Sequence, residues 1–478
     1  MEILVGDEHI NGTPFQPYDE RVCDLLDAWA QAIRGDKEAK AYPDVLTFGF
    51  FIRRGSIMKK RKAFYGDSIQ NAGNSSDDSD GNGGAGVDGV GGSTGRYARR
   101  IGRGIAFHIA PSNVPVNCMY TLVFGMLSGC SNIVRVPSKE FPQVDILCRT
   151  LREVLKKHRF SAMNERIQVI RYDRDERLPD GQSFTAFFSS FCDVRVIWGG
   201  DETIANIREN PMEPRAKEIT FADRYSVGVI DVQAVREASD EEMARLARDF
   251  YNDTYLMDQN ACSTPQLIAW SMKKYMDVCI RECVNRDGLA EIPGSPEDAG
   301  KMMAPGLKAV QERFWDAVAR EAGERYDLAD IKVSEKFADL CEFASGRDLG
   351  LEKEGQMSDS DFGMNSHIKS IKSYGDNLLY VCDVEDVTYE TSVLCRGKYG
   401  LFFQIVGLQF DVLKPVLDNP KVQTVAVYGI ETSEIADWVV KNGICGVDRV
   451  VPFGKTLDID VVWDGYDLVS EMSRIVAG

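Results

Sequence analysis

The sequence predicts an α/β protein built on mostly parallel sheets, and three observations carry that prediction. Short apolar runs alternate with stretches of helical periodicity, the pattern of strand-helix-strand units. Hydrophobic residues are 44% and charged residues 27% of the 478 positions, near the globular average. One stretch, 66–95, interrupts this texture with ten glycines among Ser, Asn and Asp. It has too little apolar surface to offset its conformational entropy and reads as a flexible surface insertion. The length suggests two to three domains.

The elements follow in order. Strands are expected at Gly104–Ala110, Asn132–Val136, Ile167–Arg171 and Val194–Trp198. Between them, Gln143–Lys157 has Val144, Leu147, Cys148, Leu151 and Leu155 at helix spacing. A second series opens with a strand at Ser226–Val232. A helix at Ser239–Tyr251 follows, with Ser239 as N-cap and Glu242 closing a capping box. Further strands are expected at Gln266–Trp270, Phe402–Leu408, Val422–Tyr428 and Asp448–Pro452, with a helix at Ser433–Lys441. There is no internal repeat. The expected division is 1–225, 226–445 and a C-terminal segment 446–478.

Charge and cysteine usage exclude several classes. Lys+Arg 56 against Asp+Glu 74 leaves a net charge of −18, a field that repels nucleic acid and anionic membranes. No stretch approaches the length of a membrane span, and Met1–Gln16 lacks the pattern of a signal peptide. The twelve cysteines form neither a disulfide framework nor a zinc pattern. Cys279 and Cys283 read as ordinary helix residues, so no metal and a reducing cytoplasm are expected.

Three motifs bear on chemistry. Asp258–Pro265 (DQNACSTP) is a polar loop holding Cys262 between a capped helix and a strand. That is a place for a nucleophile, although a buried loop cysteine is the commoner case. Ala110–Pro115 (APSNVP) follows the first strand of the α/β unit, where such sheets bind ligands, and offers the Asn113 amide to an oxyanion. A Pro-rich turn explains it as well. Trp198–Thr203 ends another strand, and Gly199 and Gly200 allow a phosphate or nicotinamide to approach the backbone. No GxGxxG stands in the required context.

The order Ala110–Pro115, Asn132–Lys139 (NIVRVPSK), Trp198–Thr203 and Asn260–Cys262 resembles the aldehyde dehydrogenase superfamily. It is closer still to the LuxC-type acyl-CoA reductases, the fatty acid reductases of bacterial luminescence. Gln259–Ser263, Gly446–Pro452 and Trp463–Leu468 carry that likeness, which runs from about Arg96 to the end. The resemblance implies a Rossmann-like NAD(P)-binding domain without the glycine fingerprint, joined to an α/β catalytic domain. It places the catalytic Cys on Cys262 and the oxyanion Asn on Asn113. Ala110, Pro111, Ser112, Gly199 and Gly200 fall near the cofactor, with Arg135, Ser138 and Lys139 on its adenosine side. Glu218 matches the glutamate that activates water in hydrolytic members, but the Gly-Gly-Lys that follows it there is missing; a solvated glutamate beside Lys217 is the alternative. Tyr399, in Gly397–Gly400, aligns loosely with the nicotinamide-ribose motif.

The expected activity is NADPH-dependent reduction of long-chain acyl-CoA, or of an acyl-protein thioester, to fatty aldehyde through an acyl-cysteine, with NADH as the alternative cofactor. Arg135 and Lys139 are suited to a 2′-phosphate. The rivals are a hydrolytic aldehyde dehydrogenase and an acyltransferase or acyl carrier without reductase activity. The resemblance also implies an acyl-protein synthetase as partner and a homo-oligomer.

Overall fold

The computed structural model describes residues 1–66, 99–111, 114–272, 274, 296–345, 368–384, 387–388, 392, 394–407 and 413–477. Residues 67–95 of the insertion, Ser112, Asn113, Cys279, Cys283 and Leu408 lie outside them. The chain forms two units, residues 1–222 with 460–478, and residues 223–459. The segment 446–478 is thus shared between the two.

The first unit is built on a six-stranded sheet. Its strands are β1 (Glu2–Val5), β3 (Ile105–Ile109), β4 (Ser131–Arg135), β5 (Ile167–Arg171), β6 (Val194–Trp198) and β7 (Lys217–Phe221), in the order β1-β5-β4-β3-β6-β7. β1 is antiparallel to β5, and every other pairing is parallel. Parallel neighbours need crossovers, here the helices Asn117–Leu127, Pro142–Leu155, Phe184–Phe191 and Asp201–Arg208. The strands are runs of Val and Ile because both sheet faces are covered; all five residues of β6 are buried. Helix Pro142–Leu155 starts on a proline and buries the periodic face that the sequence displays, with Val144, Leu147, Cys148 and Leu151 inside. The strand order reverses between β3 and β6, the crevice where open parallel sheets bind ligands.

The second unit holds a seven-stranded sheet. Its strands are β8 (Tyr225–Asp231), β9 (Pro265–Ser271), β10 (Ile368–Tyr374), β11 (Leu379–Val384), β12 (Leu401–Gly407), β13 (Val422–Tyr428) and β14 (Arg449–Pro452), in the order β10-β11-β12-β9-β8-β13-β14. Only the β10–β11 pair is antiparallel. Helix Asp240–Thr254 carries both halves of the expected capping box between Ser239 and Glu242. It packs Phe250 against Phe314, Trp315 and Phe402. In that core the indoles of Trp270 and Trp315 both donate to Gln404 Oε1, each at 2.8 Å, so a buried amide satisfies two ring N–H groups.

The C-terminal residues return to the first unit. They form the ribbon β15 (Val462–Trp463) with β16 (Tyr466–Asp467), and β17 (Ser473–Ile475) pairs antiparallel with β2 (Arg100–Gly102). Among the described residues no helix is long and apolar enough to cross a membrane.

Candidate active site

Cys262 is exposed, one of three such among the ten described cysteines, with Cys341 and Cys445. Its loop joins helix Asp240–Thr254 to β9 at the amino end of the second sheet, and its backbone is fastened from several sides. The Ser226 hydroxyl, buried at the start of β8, donates to the Cys262 carbonyl at 2.7 Å. Thr264 Oγ1 donates to the Asp253 carbonyl at 2.9 Å. Asp258 and Gln259 both have left-handed backbones, φ 52° and 61°, which turn the chain out of the helix and back toward the sheet.

Gln259 does the most to fix the loop. It is 3% exposed, and its side-chain amide donates to the Leu401 carbonyl at 3.0 Å while accepting from the Gly400 N–H at 2.5 Å. Gln266 repeats the link, donating to the Gln259 carbonyl at 2.8 Å and accepting from the Gly397 N–H at 3.0 Å. Two buried glutamines thus tie the Cys262 loop to the turn before β12. Gly400 must be glycine there: its φ is +95° and a Cβ would lie 2.1 Å from the Leu378 carbonyl oxygen.

Of the other described cysteines, all but Cys341 and Cys445 are buried. Burial pushes the thiols of Cys148, Cys192 and Cys382 up to about 12. Cys445 is exposed, yet its bond to Asp418 also raises its thiol, the reverse of what a nucleophile needs.

Tyr399 lies in the second unit. Its hydroxyl donates to Glu335 at 2.8 Å, which pushes the phenol up to about 12. Asp223 pairs with Arg396 at 2.9 Å and lies 3.8 Å from Lys421.

In the first unit, Ala110 and Pro111 follow β3, and Gly199 and Gly200 follow β6, so both loops stand at the point where strand order reverses. Neither glycine has a positive φ. A Cβ at Gly200 would meet nothing within 4 Å, so neither the backbone nor its neighbours require glycine there. Arg135, at the end of β4, donates to the Tyr172 carbonyl at 3.3 Å and Ser138 Oγ at 3.4 Å, and lies 5.4 Å over the Tyr172 ring. Burial lowers its pKa, and no salt bridge engages it among the described residues. Lys139 is exposed beside Phe141.

A cavity of about 250 Å³ opens beside Arg135, lined also by Ile109, Tyr172, Thr203, Asn206 and Asn210. Ligand pockets typically span about 300–1,000 Å³, so it has room for part of a dinucleotide. Thr203 closes the motif Trp198–Thr203, whereas Tyr172 and the asparagines stand in none of the sequence motifs. Only the position of Tyr172 just after a strand hinted at them.

Glu218 lies on β7 with both carboxylate oxygens held. Arg195 donates to one at 3.0 Å and Arg208 to the other at 2.7 Å. Burial is the largest single influence and opposes ionisation, but the bonds and charges of Arg208 and Arg195 together hold the carboxyl below its usual range. A paired carboxylate of this kind is a poor proton acceptor.

Residues 90–285 match the acyl-CoA reductase (LuxC) family. That stretch takes in the loops after β3 and β6, Glu218 and the Cys262 loop, and stops before the turn at 397–401. Solved structures extend the likeness over nearly the whole chain. A 1-pyrroline-5-carboxylate dehydrogenase variant from Thermus thermophilus is 12% identical, covering 97% of this chain and 82% of its own, with a TM-score of 0.54. An NAD-dependent benzaldehyde dehydrogenase from Corynebacterium glutamicum is 11% identical, over 96% and 84%, with a TM-score of 0.51. The fold is that of the aldehyde dehydrogenases, with a Rossmann-like sheet and a second α/β unit. No curated protein matches the sequence.

Proposed function

We propose that this protein reduces long-chain acyl-CoA, or an acyl-protein thioester, to fatty aldehyde with NADPH, through a thioester on Cys262. The observation that carries this reading is an exposed thiol on a loop fixed by buried side chains, inside the stretch that matches acyl-CoA reductases. The Cys262 thiolate attacks the carbonyl carbon, coenzyme A leaves as its thiol, and the acyl group stays on sulfur. The Cys262 N–H is the proposed donor to the oxyanion, with the Asn113 amide as the second; each donor of this type lowers the barrier by about 3 kcal/mol. NADPH supplies the hydride that, with one proton, converts the thioester to aldehyde and free thiol. An acyl-protein synthetase that delivers the acyl group belongs to the same proposal.

The residues present suit a nicotinamide dinucleotide. Arg135, which makes no salt bridge among the described residues, and the exposed Lys139 provide positive charge for a 2′-phosphate, with Ser138 beside them. Open space over Gly200 leaves room beside the backbone where strand order reverses. Ala110, Pro111, Ser112 and Gly199 are proposed to line the cofactor, and Tyr399 to act from the turn at 397–400. The bonds that Arg195 and Arg208 make to Glu218 favour reduction over hydrolysis, because they leave that carboxylate little capacity to activate water.

One assay separates the readings. Acyl-CoA with NADPH should give aldehyde and stoichiometric NADP⁺. Release of CoA without NADPH oxidation would indicate a transferase. Activity confined to aldehyde with NAD(P)⁺ would indicate a hydrolytic dehydrogenase.

A further inference from the structure

Helix Asp330–Ser345 takes no part in the reaction proposed above, yet one of its faces is spent on the Cys262 loop and on the turns before β11 and β12. Lys332 donates to Asp258 at 2.9 Å, Glu335 accepts from the Tyr399 hydroxyl at 2.8 Å, and Asp339 lies 3.8 Å from Lys398. These positions and Lys336 are spaced i, i+3, i+4 and i+7, one stripe of a helix.

Lys336 is the unusual member. It is 1% exposed, and no carboxylate pairs with it among the described residues. Its ammonium donates instead to three backbone carbonyls, those of Tyr399 at 2.9 Å, Leu378 at 3.3 Å and Asn377. Three donors thus meet three acceptors. An apolar side chain would fill the space without the cost of desolvating a charge, so the ammonium's distinctive contribution is to join those carbonyls. They belong to the residues just before β11 and β12, and one lies in the turn where Tyr399 takes φ 55°. The next residue, Gly400, donates to Gln259, three positions before Cys262.

We propose that Lys336 is a positioning residue for Cys262: it sets the turn at 398–401, and that turn, through Gln259, sets the loop that presents the thiol. The inference rests on Cys262 as the nucleophile, but the contact chain is tested separately from that role.

Lys336→Met, Gln259→Leu and the double variant would be alkylated with iodoacetamide at fixed pH, the rate being read by mass spectrometry on the Cys262 and Cys445 peptides. Each single variant should slow alkylation at Cys262 about 10-fold and leave Cys445 unchanged, a selectivity that general loosening of the fold would not produce. The double variant should be no slower than the slower single one, because both act through one chain of contacts. In turnover, kcat should fall. Wild-type or faster alkylation of Cys262 in either folded single variant, or additive effects in the double, would overturn the proposal. If Lys336→Met does not fold, Gln259→Leu decides alone. Turnover retained by Cys262→Ala would remove the nucleophile reading while leaving the alkylation result to stand.

Discussion

The two sheets carry their candidate chemistry at opposite ends. In the first unit, the loops of interest follow β3 and β6, at the carboxyl ends of parallel strands; Gly200, after β6, has open space where a side chain would stand, and a cavity lies beside Arg135, at the end of β4. In the second unit, Cys262 precedes β9, at the amino end of its sheet, and its loop is tied down by Ser226, Gln259 and Gln266. The difference fits the roles proposed for the two. A cofactor must enter and leave, so its site needs room. A nucleophile must hold one direction against a carbonyl, so its loop needs fixed backbone.

The contrast breaks most sharply at Cys262. Cys262→Ala should abolish acyl labelling and lower aldehyde formation by at least about 10³-fold, while NADPH binding, measured by fluorescence titration, stays near wild type. Substantial turnover in that variant would show that the fastened loop is not the seat of catalysis.

The two units should also respond to pH with opposite sign. In the first, His108 is fully buried between Thr121 and Asn132, and burial lowers it to about 4 from an ordinary 6.5. Its neutral form is favoured by folding, so stability is whole above about pH 6.5 and is lost as pH falls toward 4. At about 1.4 kcal/mol per pH unit this amounts to about 3 kcal/mol. In the second, burial pushes Asp253 up to about 7, against the pull of its bonds from the Gly454 and Thr456 N–H groups. Its protonated form is favoured by folding, so stability falls as pH rises from about 4 to about 7, by up to about 4 kcal/mol. Hydrogen exchange from pH 4.5 to 7.5 should show β3 and β4 gaining protection with rising pH, and β8 and β9 losing it. His108→Gln and Asp253→Asn should flatten the respective trends.

On the cofactor side, Arg135→Ala should raise the KM for NADPH by roughly 10-fold or more, the worth of one hydrogen bond to a charged group, with little change for NADH. Equal losses for both cofactors would remove the 2′-phosphate reading. A smaller effect is expected at Gly200, the N-cap of helix Asp201–Arg208. Asn caps a helix well, so Gly200→Asn should leave the melting temperature unchanged or raise it slightly. Its side chain should fill the open space and weaken NADPH binding about 10-fold. Unchanged binding would show that the space serves no ligand.

These cases explain what the sequence could and could not disclose. Strand-end loops such as Ala110–Pro111 and Gly199–Gly200 are legible because strand, loop and helix are consecutive, and the apolar runs mark the strands before them within one residue; β1, β2, β7, β10 and β11 are not marked in that way and are not expected from the sequence. The capping box at Ser239 and Glu242 is equally local. The frame of Cys262 is not. Gln259 stands in the motif itself, but its partners Gly400 and Leu401 lie more than 130 residues away, and Lys336 reaches the loop only through a turn that no periodicity marks. Glu218 shows the converse. A motif match suggests a base, whereas Arg195, on the adjacent strand β6, and Arg208 hold it as an ion pair.

Cys262 is proposed to carry an acyl group that waits for hydride and not for water. The most direct measurement mixes the protein with radiolabelled acyl-CoA, omits NADPH, follows label on the Cys262 peptide over time, and then adds NADPH. The prediction is one label per chain, stable over many turnover times, discharged as aldehyde when NADPH arrives, and unaltered in lifetime by Glu218→Gln. Repeated rapid turnover to free fatty acid without NADPH, abolished by Glu218→Gln, would contradict it.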